Sequence, residues 1–366
     1  MKTLQSLFPQ NLLSRAESIE LLRTQKKFDL VIVGGGIHGS AFARFAQMNG
    51  FSVVLLEKGD YASGTSSRSS KMAHGGLRYL ELLDFQQVFE GIRAREELFE
   101  NAAHVVRPEE FLIPVKNHEL FTRLKIGLGL TLYDLLLKNP ARKHRWIPSR
   151  SLNYPELESL KGKLRGCYRY TDGLLSDTRL VLENILDARL HGAICLNHAK
   201  VEQIDGILQK KRVLVQDEIG QQSLEISAKL VVNCAGPWAP SVAMTERTLV
   251  KYSRGTHLLF STHWDSPSLF LPMPGKSRYY FVWPHFAGTM VGTTEREILE
   301  LEEDPMPEES EVEEILERLK RDLPESRLDR EHLHYAFAGI RTLPLRSQGA
   351  EVSRLSRKHI WNEENG

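Results

Sequence analysis

A strand, a glycine turn and a helix near the amino terminus constrain the fold of this chain more than any other feature. Residues 30–33 (LVIV) form a short apolar run, mostly β-branched, that is typical of a buried parallel strand. A GxGxxG turn follows at once, made by Gly34, Gly36 and Gly39. Residues 37–48 then read as a helix, whose N-terminus offers free N–H groups and a positive dipole end to phosphates. Glycines at these positions permit a tight turn, close approach of a pyrophosphate, and close packing of helix on strand.

An acidic residue completes this unit. A second apolar run, residues 53–56, ends at Glu57, about 20 residues beyond the glycines. An acid at this place accepts hydrogen bonds from the adenosine ribose and disfavours a 2′-phosphate, which argues against NADP. A lone GxGxxG is often only a glycine turn. Here both strands, the helix and the acid occur together, so we predict a dinucleotide-binding β-α-β unit.

Length and composition set broad limits. The chain has 366 residues and a net charge of +1, which suggests about two domains and gives no reason to expect nucleic acid. Cys167, Cys195 and Cys234 lie far apart in sequence and form no CxxC, so we interpret them as reduced, buried thiols. We predict no metal site.

The first 27 residues are predicted to form a helical extension, with Ser14 as a possible N-cap. They lack the apolar core and cleavage site of a signal peptide, and the sequence contains no run of 18 apolar residues.

The remaining pattern predicts two domains that alternate along the chain. The nucleotide-binding domain is assigned to residues 28–84, 162–240 and 332–366. A second domain is assigned to residues 85–161 and 241–331. The expected elements are a helix from Arg179 to His191 capped by Asp177 or Thr178, strands near 193–196, 212–216, 224–227 and 230–236, strand alternation over 251–294, and an amphipathic helix over 308–321. The acidic run from Glu295 to Glu314 is interpreted as a solvated face.

Residues 64–80 (GTSSRSSKMAHGGLRYL) are rich in hydroxyl groups, glycine and cations. A solvated loop is the plain interpretation. The segment also offers many short donors directly after the ribose-binding strand, and its His-Gly-Gly step permits backbone contact with a flat ring. Arg78 and Tyr79 suit a phosphate group, the arginine by its bidentate fork.

The pattern of residues 64–80 resembles that of the flavin-dependent glycerol-3-phosphate dehydrogenases. These are quinone-linked enzymes of the D-amino-acid-oxidase-like superfamily. The resemblance extends from about residue 20 to the end, in the family's order and spacing. The other matching motifs are NCAGPW at 233–238, RGTH at 254–257, FVWP at 281–284, GTTE at 292–295, AGIR at 338–341 and SRKH at 356–359.

The resemblance implies an α/β (α+β) fold, in which a Rossmann-like FAD-binding domain is interleaved with a substrate domain built on a mostly antiparallel β-sheet. It also implies noncovalent FAD, since no attachment Cys or His of the family type is evident. The predicted cofactor-binding residues are Gly34, Gly36, Gly39, Glu57, Thr65, Ser66, Ser67, Ser70, Lys71, His74, Gly75, Gly76, Val201, Ala235, Gly236 and Trp238.

The implied activity is oxidation of sn-glycerol 3-phosphate at C2 to dihydroxyacetone phosphate, with hydride transfer to flavin N5. The predicted substrate-binding residues are Arg78, Tyr79, His257, Arg341 and Arg357. Two of them are also predicted to be catalytic. His257 is the candidate base because its reference pKa lies near neutrality, although a satisfied polar residue at a strand edge is the plainer interpretation. Arg341 could instead hold the substrate oxygen and stabilise developing negative charge.

The expected electron acceptor is a membrane quinone, and the resemblance is compatible with a homodimer. Residues 120–146 combine an apolar centre with flanking Arg, Lys and Trp, as in a helix lying on anionic lipid; a core helix with a basic tail is the alternative. We therefore expect peripheral binding at the cytoplasmic face of a membrane. An oxygen-using oxidase and a flavin-binding remnant without turnover stay open, because the family's GGKxTTYR segment and C-terminal helical domain are absent from this sequence.

Overall fold

The computed structural model describes residues 12–25, 27–77, 84–137, 139–243, 250–273 and 279–344. The helices are α1 (Arg15–Thr24), α2 (Ile37–Met48), α3 (Phe85–Asn101), α4 (Leu120–Asp134), α5 (Asp177–Leu190), α6 (Ala239–Ala243) and α7 (Glu309–Asp322). The strands are β1 (Phe28–Val33), β2 (Val53–Leu56), β3 (Met72–Ala73), β4 (Val106–Lys116), β5 (Arg145–Pro148), β6 (Leu164–Leu175), β7 (Ile194–Leu196), β8 (Ala199–Ile207), β9 (Lys210–Asp217), β10 (Gln222–Asn233), β11 (Val250–Phe260), β12 (Ser268–Pro272), β13 (Tyr279–His285), β14 (Gly288–Gly292), β15 (Arg296–Ile298) and β16 (Leu333–Pro344).

Within the described residues, the first sheet has six strands in the order β7-β2-β1-β10-β9-β8. The first four of these run parallel, and β9 is antiparallel to both of its neighbours. Strands β1 and β2 are neighbours in the sheet, and helix α2 connects them. The β-α-β unit predicted from the glycine motif is therefore confirmed. The carboxyl ends of β1, β2 and β10 meet at one edge of this sheet, which is where open α/β sheets bind their ligands.

Helices cover the six-stranded sheet. Helices α2 and α5 pack together and bury a core that includes Ala43, Val181 and Ile185. Helix α1 packs on the strands through Ile19 and Leu22. Its cap is the predicted one, since the Ser14 hydroxyl accepts the Glu17 N–H and the Glu17 carboxylate accepts the Ser14 N–H.

Helix α5 differs slightly from the prediction. It begins at Asp177, with Ser176 as its N-cap residue, so neither Asp177 nor Thr178 caps it. The Asp177 carboxylate accepts hydrogen bonds from the Ser69 hydroxyl and the Lys71 ammonium group instead.

The second sheet has ten strands among the described residues, and its pairing is antiparallel except where β12 runs parallel to β4. One face of this sheet packs on α7 through Val312, Ile315, Leu316 and Leu319. Because side chains alternate along a strand, Leu258 of β11 points to that face while His257 and Leu259 belong to the opposite one. The predicted fold class, a Rossmann-like domain interleaved with a mostly antiparallel sheet, is confirmed.

Three strands from the ranges predicted for the nucleotide-binding domain, β3, β6 and β16, lie in the ten-stranded sheet. Strand β6 pairs with β4 over nearly its whole length, and β16 pairs with β11. Long antiparallel ladders of this kind satisfy the backbone N–H and C=O groups of both strands, and nothing in the local sequence shows which strand will be the partner. The two stretches predicted at 224–227 and 230–236 also form one continuous strand, β10.

The acidic run from Glu295 to Glu314 is not simply a solvated face. Glu311 is fully buried, and its carboxylate accepts hydrogen bonds from Arg254 Nε (2.9 Å) and Thr294 Oγ1 (2.6 Å). Arg254 is also buried and pairs with Glu302 and Glu308. That interpretation was wrong for Glu311, because Arg254 on β11 holds its carboxylate in the interface between the sheet and α7. Glu302 and Glu308 pair with the same guanidinium group but stay partly exposed.

Residues 120–146 do not form one long helix. Helix α4 ends at Asp134, and the chain then turns into β5. Leu130 and Tyr133 are buried, whereas a row of leucine and phenylalanine side chains on the other side of α4 is exposed. No helix within the described ranges is long and apolar enough to cross a membrane.

Candidate functional site

The glycine turn has the geometry that the motif predicts. Gly34 adopts a φ of +109°, which side chains disfavour. A Cβ on Gly39 would lie 1.9 Å from the Gly34 carbonyl oxygen, so only glycine lets α2 start so close to the turn. Gly36 precedes α2 and supplies no side-chain cap. Because Gly36 has no side chain, the N-cap position leaves room for a ligand at the start of α2.

Glu57 lies beside this turn, at the carboxyl end of β2. Its carboxylate accepts the Gly35 N–H at 2.6 Å and the Gly59 N–H at 2.8 Å. The acid is thus fixed in place next to the glycines, as its spacing along the chain predicts. Its contact with a ribose stays a prediction.

Part of the segment after β2 closes around the same edge. The Ser66 hydroxyl accepts the N–H of Ile37, the first residue of α2, at 2.9 Å. The Thr65 hydroxyl donates to the Ile340 carbonyl of β16 at 2.8 Å, and the Ser67 hydroxyl donates to Gly64. These contacts tie the nucleotide turn to the second sheet. The segment is not the solvated loop of the plain interpretation.

The next residues anchor the segment from the other side. Lys71 donates to the Asp177 carboxylate at 2.8 Å and to the Ser67 carbonyl at 2.9 Å, so its charge is already paired within the protein. The Ser70 hydroxyl lies 2.8 Å from Nε2 of His257. Its predicted role in cofactor binding is untested, but the structure shows a second partner for it.

Two residues of the His-Gly-Gly sequence face a cavity, and the third packs against α4. His74 and Gly76 line a cavity, and Gly76 adopts a φ of +72°. Gly75 packs inward, where a Cβ would lie 2.1 Å from the Tyr133 hydroxyl oxygen. The absence of a side chain at Gly75 is therefore explained by packing against α4.

The cavity has a volume of about 280 Å³ and lies between the segment after β2 and the second sheet. Arg341 of β16 and His257 of β11 both line it, as do Tyr170 and Phe270 from the aromatic part of the sheet. Arg341 donates to Thr293 Oγ1 at 3.1 Å. The structure thus brings together the two residues predicted to be catalytic.

His257 has a pKa far from its usual range. Burial lowers the pKa to about 3, and the positive charges of Arg341 and Lys71 lower it in the same direction. The ring stacks on Phe337 with centroids 5.1 Å apart. The histidine is therefore neutral near pH 7. The argument for it as a base from a reference pKa near neutrality does not hold, although a neutral imidazole can still accept a proton.

A buried cluster of charges behind the cavity was not predicted. Asp172 lines the cavity, and its Oδ1 accepts hydrogen bonds from Arg95 (2.7 Å), the Tyr133 hydroxyl (2.8 Å) and the Gly75 N–H (3.0 Å). Arg95 also pairs with Glu96. The cluster holds α3, α4 and the glycine step to β6. The sequence around Arg95 and Glu96, residues 91–100 (GIRAREELFE), is charged throughout, so nothing local marks these two residues as buried.

The predicted residues after β10 lie at the same edge as the glycine turn. A Cβ on Gly34 would lie 2.4 Å from the Cys234 carbonyl oxygen, directly before Ala235 and Gly236. Lys58 Nζ lies 4.1 Å above the ring of Trp238. Val201 lies on β8 and packs against the core of the six-stranded sheet. Arg78, Tyr79 and Arg357 lie outside the described residues.

The residues at this edge fit a bound dinucleotide. Among the described residues, the indole nitrogen of Trp238 is buried without a hydrogen-bond partner. Buried donors are rarely left unsatisfied, which indicates a missing acceptor nearby. The start of α2 directs a positive dipole end at this edge for phosphates; its N-cap residue, Gly36, supplies no side-chain cap, and the Ser66 hydroxyl accepts the Ile37 N–H.

Comparison with known proteins gives consistent results. Residues 29–363 match the family described as FAD dependent oxidoreductase. The chain is 30% identical over 362 residues to the aerobic glycerol-3-phosphate dehydrogenase of Bacillus subtilis (strain 168), covering 94% of this chain. It spans 63% of the length of that relative.

Solved structures extend the comparison. The glycerol-3-phosphate dehydrogenase from Bacillus halodurans complexed with FAD is 27% identical with a TM-score of 0.70, and the match covers 90% of this chain and 59% of that one. The FAD-bound L-alpha-glycerophosphate oxidase from Mycoplasma pneumoniae has the same TM-score at 17% identity, covering 88% and 85% of the two chains, and so shows the fold alone. The glycine turn, Glu57 and the match over nearly the whole chain together place this protein in the FAD dependent oxidoreductase family, whose cofactor is FAD.

Proposed function

We propose that the chain oxidises sn-glycerol 3-phosphate at C2 to dihydroxyacetone phosphate. The observation that carries the proposal is the position of Arg341 and His257 in one cavity, next to the segment that follows the nucleotide turn. A dianionic substrate needs a fixed cation, and an alcohol that loses hydride also needs a proton acceptor. The names of the similar chains support this choice of substrate.

FAD, when bound, supplies the two-electron oxidant for this reaction. The residues that would hold its phosphates are the glycine turn and the start of α2, with Glu57 at the ribose. The protein's own contribution is to orient the substrate and to accept its hydroxyl proton. We expect noncovalent attachment, so denaturation with acid should release all of the flavin from the protein.

Arg341 and His257 would have different roles: Arg341 would bind the substrate, and His257 would accept its proton. Arg341 offers a guanidinium fork for the phosphate or for the C2 oxygen. His257 is neutral and so able to accept a proton, but the two nearby cations make it a weak base. A phosphate dianion beside Arg341 would offset that positive charge and raise the pKa of His257. Substrate binding would thereby strengthen the base.

The decisive experiment is anaerobic. FAD-loaded protein mixed with sn-glycerol 3-phosphate should lose its flavin absorbance near 450 nm on the order of seconds or faster, since enzyme turnover numbers centre on about 10 s⁻¹. Glycerol at the same concentration should do so far more slowly. A protein that keeps its FAD and is not bleached would be a flavin-binding remnant, and the proposed activity would be rejected.

A membrane quinone is the proposed acceptor, and α4 supports a membrane contact. The exposed apolar residues of α4 and its end form a row at spacings of three and four residues, which places them on one side of the helix. Phe121 is 80% exposed, Leu124 64%, Leu128 66%, Leu132 39% and Leu135 76%. A row of this size is costly in water. We propose that it lies on an anionic lipid surface on the cytoplasmic side.

The charges around α4 fit an anionic surface. Arg123 lies over Trp146, with its guanidinium carbon 4.2 Å from the ring centroid, at the edge of the apolar row. Arg145 is exposed on β5 and Lys143 lies just before it. Arg142 contributes less, since it pairs with buried Glu96 at 2.7 Å. Lys138 lies outside the described residues.

Vesicle binding tests this surface. Phe121→Glu combined with Leu128→Glu should abolish binding to mixed phosphatidylglycerol–phosphatidylcholine vesicles, including the part that survives high salt. Lys143→Gln with Arg145→Gln should reduce only the salt-sensitive part, at about 1 kcal/mol for each charge. Phe286→Glu is the matched control, because Phe286 is 93% exposed and lies in the turn between β13 and β14 rather than on α4. Equal binding by parent and Phe121/Leu128 variant would contradict the proposal.

Oxygen is the second candidate acceptor. Arg341 and His257 would act on the substrate in the same way with either acceptor. Stoichiometric hydrogen peroxide in air, with no stimulation by a soluble quinone, would establish the oxidase. Rapid quinone reduction with little peroxide would support the dehydrogenase.

A further inference from the structure

The His257 ring has a single polar contact at its edge. The residue is 2% exposed, stacked on Phe337 and in edge contact with Trp283. Its Nδ1 is buried without a hydrogen-bond partner among the described residues. Its Nε2 lies 2.8 Å from Ser70 Oγ. Both residues line the cavity, so Ser70 offers a route from the cavity to Nε2.

Ser70 is well placed for this contact. It is half-buried and lines the cavity together with Arg341. The residues on either side of it, Ser69 and Lys71, both donate to the Asp177 carboxylate, at 2.7 and 2.8 Å. Two anchors on one carboxylate fix the backbone at Ser70. The hydroxyl is thus held between the cavity and the histidine.

We propose that the Ser70 hydroxyl relays the substrate's C2 hydroxyl proton to Nε2 of His257. The inference rests on the proposed function and names the path of its proton. The substrate O–H bond breaks and its proton joins Ser70 Oγ, while the proton of Ser70 passes to Nε2. FAD, if bound, would supply the oxidant that takes up the C2 hydrogen with its electron pair, and the C2–O bond would become the carbonyl of the ketone.

Proton transfer to His257 creates a positive charge on the ring, and the neighbouring charges decide how favourable this is. A protonated His257 would lie near Arg341 and Lys71, and of these Lys71 is already paired with Asp177. Arg341 lines the same cavity, and the proposed function puts the substrate phosphate beside it. The dianion bound there would compensate for the new positive charge on the ring. The relay should therefore work on glycerol 3-phosphate much better than on glycerol.

Kinetics separate the relay from direct proton transfer. At saturating FAD, Ser70→Ala should lower kcat for sn-glycerol 3-phosphate by roughly 10²–10⁴-fold, the usual range for loss of acid–base catalysis. Ser70→Thr retains a hydroxyl and should recover most of that rate. Ser253→Ala is the matched control: its hydroxyl is buried on the same strand as His257 and has no partner among the described residues. If Ser70→Ala matched this control, or were faster because Nε2 had become open, the relay would be refuted.

A spectroscopic measurement keeps the test independent of turnover. In protein labelled with ¹⁵N-histidine, with the signal assigned by His257→Gln, the relay requires Nε2 to be the unprotonated acceptor and Nδ1 to carry the proton. Ser70→Ala should then shift the Nε2 resonance by removing its donor. A protonated Nε2 in the resting protein would make Ser70 the acceptor and overturn the relay. If the parent protein does not oxidise glycerol 3-phosphate, the proposed function fails, while the resonance still decides whether Ser70 donates to His257.

Discussion

Replacing Arg341 by alanine tests the charge at the centre of the cavity. Arg341 lies on β16, opposite Ser253 of β11, and donates to Thr293. A Cβ on Gly255 would lie 2.6 Å from both terminal nitrogens of the guanidinium group, so this glycine leaves room for it. The strand pairing uses only the backbone of Arg341. We therefore expect the variant to fold and to bind FAD.

The expected loss follows from the contact removed. A hydrogen bond to a charged group contributes about 1.5–3 kcal/mol, which corresponds to roughly a 10- to 150-fold decrease in kcat/KM. Arg341→Lys keeps the charge but not the fork, so it should fall between the parent and Arg341→Ala. Removal of the positive charge should also raise the pKa of His257 from about 3, because Arg341 is one of the groups that lower it.

The assay compares two substrates under anaerobic conditions with an artificial electron acceptor. If Arg341 binds the phosphate, Arg341→Ala should lose activity on glycerol 3-phosphate and little on glycerol. If it holds the C2 oxygen, both substrates should lose alike. The flavin spectrum of each variant shows that FAD is still bound. Unchanged kcat/KM for glycerol 3-phosphate would refute any substrate contact by Arg341.

Three further predictions concern stability and cofactor binding. His257 has a pKa of about 3 in the folded protein and a reference value of 6.5, so between these pH values only the unfolded chain binds the extra proton. The stability that depends on the neutral ring is therefore complete above pH 6.5 and falls by up to roughly 5 kcal/mol towards pH 3. In urea unfolding, His257→Gln should make stability depend less on pH in this acid range, and an unchanged dependence would exclude the histidine as its source. Glu311→Ala should cost about 1–3 kcal/mol in the free energy of unfolding, because buried Arg254 and Thr294 each lose a hydrogen-bond acceptor while Glu302 and Glu308 still pair with Arg254. The exposed Glu313→Ala should cost about 0–1 kcal/mol, and similar losses in the two variants would contradict the argument. Gly39→Ala should lower stability by about 1–3 kcal/mol and weaken FAD binding, measured by flavin fluorescence, since the new methyl group meets the Gly34 carbonyl; normal affinity would show that α2 can shift without harm.

Local sequence was enough to predict the nucleotide-binding unit. The glycine spacing, the apolar strands and Glu57 occur within one continuous stretch of about 30 residues, so a single supersecondary motif carries the information. The cap of α1 and the apolar face of α7 followed for the same reason, since both depend on neighbours three or four residues away. The site residues taken from the family resemblance stay predictions, although the structure brings His257 and Arg341 together.

Long-range pairing was beyond the sequence. Strands β6 and β16 joined the second sheet rather than the first, because strand partners are chosen by packing and by backbone hydrogen bonds far along the chain. The same holds for Glu311, an acid in an acidic run whose burial depends on Arg254, 57 residues away. The row of exposed apolar residues on α4 is a related case: composition allowed a core helix or a surface helix, and only the packed fold showed which side of the helix has neighbours.

The sequence by itself indicated the cofactor of the chain, and the tertiary structure decided the electrostatics of its cavity. Residue types and their spacing indicate FAD, because a nucleotide turn is a local arrangement of backbone. They did not indicate that His257 would be buried beside two cations with a lowered pKa, or that Ser70 would occupy its Nε2. Both depend on how closely the segment after β2 packs on β11 and β16. Burial and the distances between charges are properties of the folded chain, so only the structure contains them.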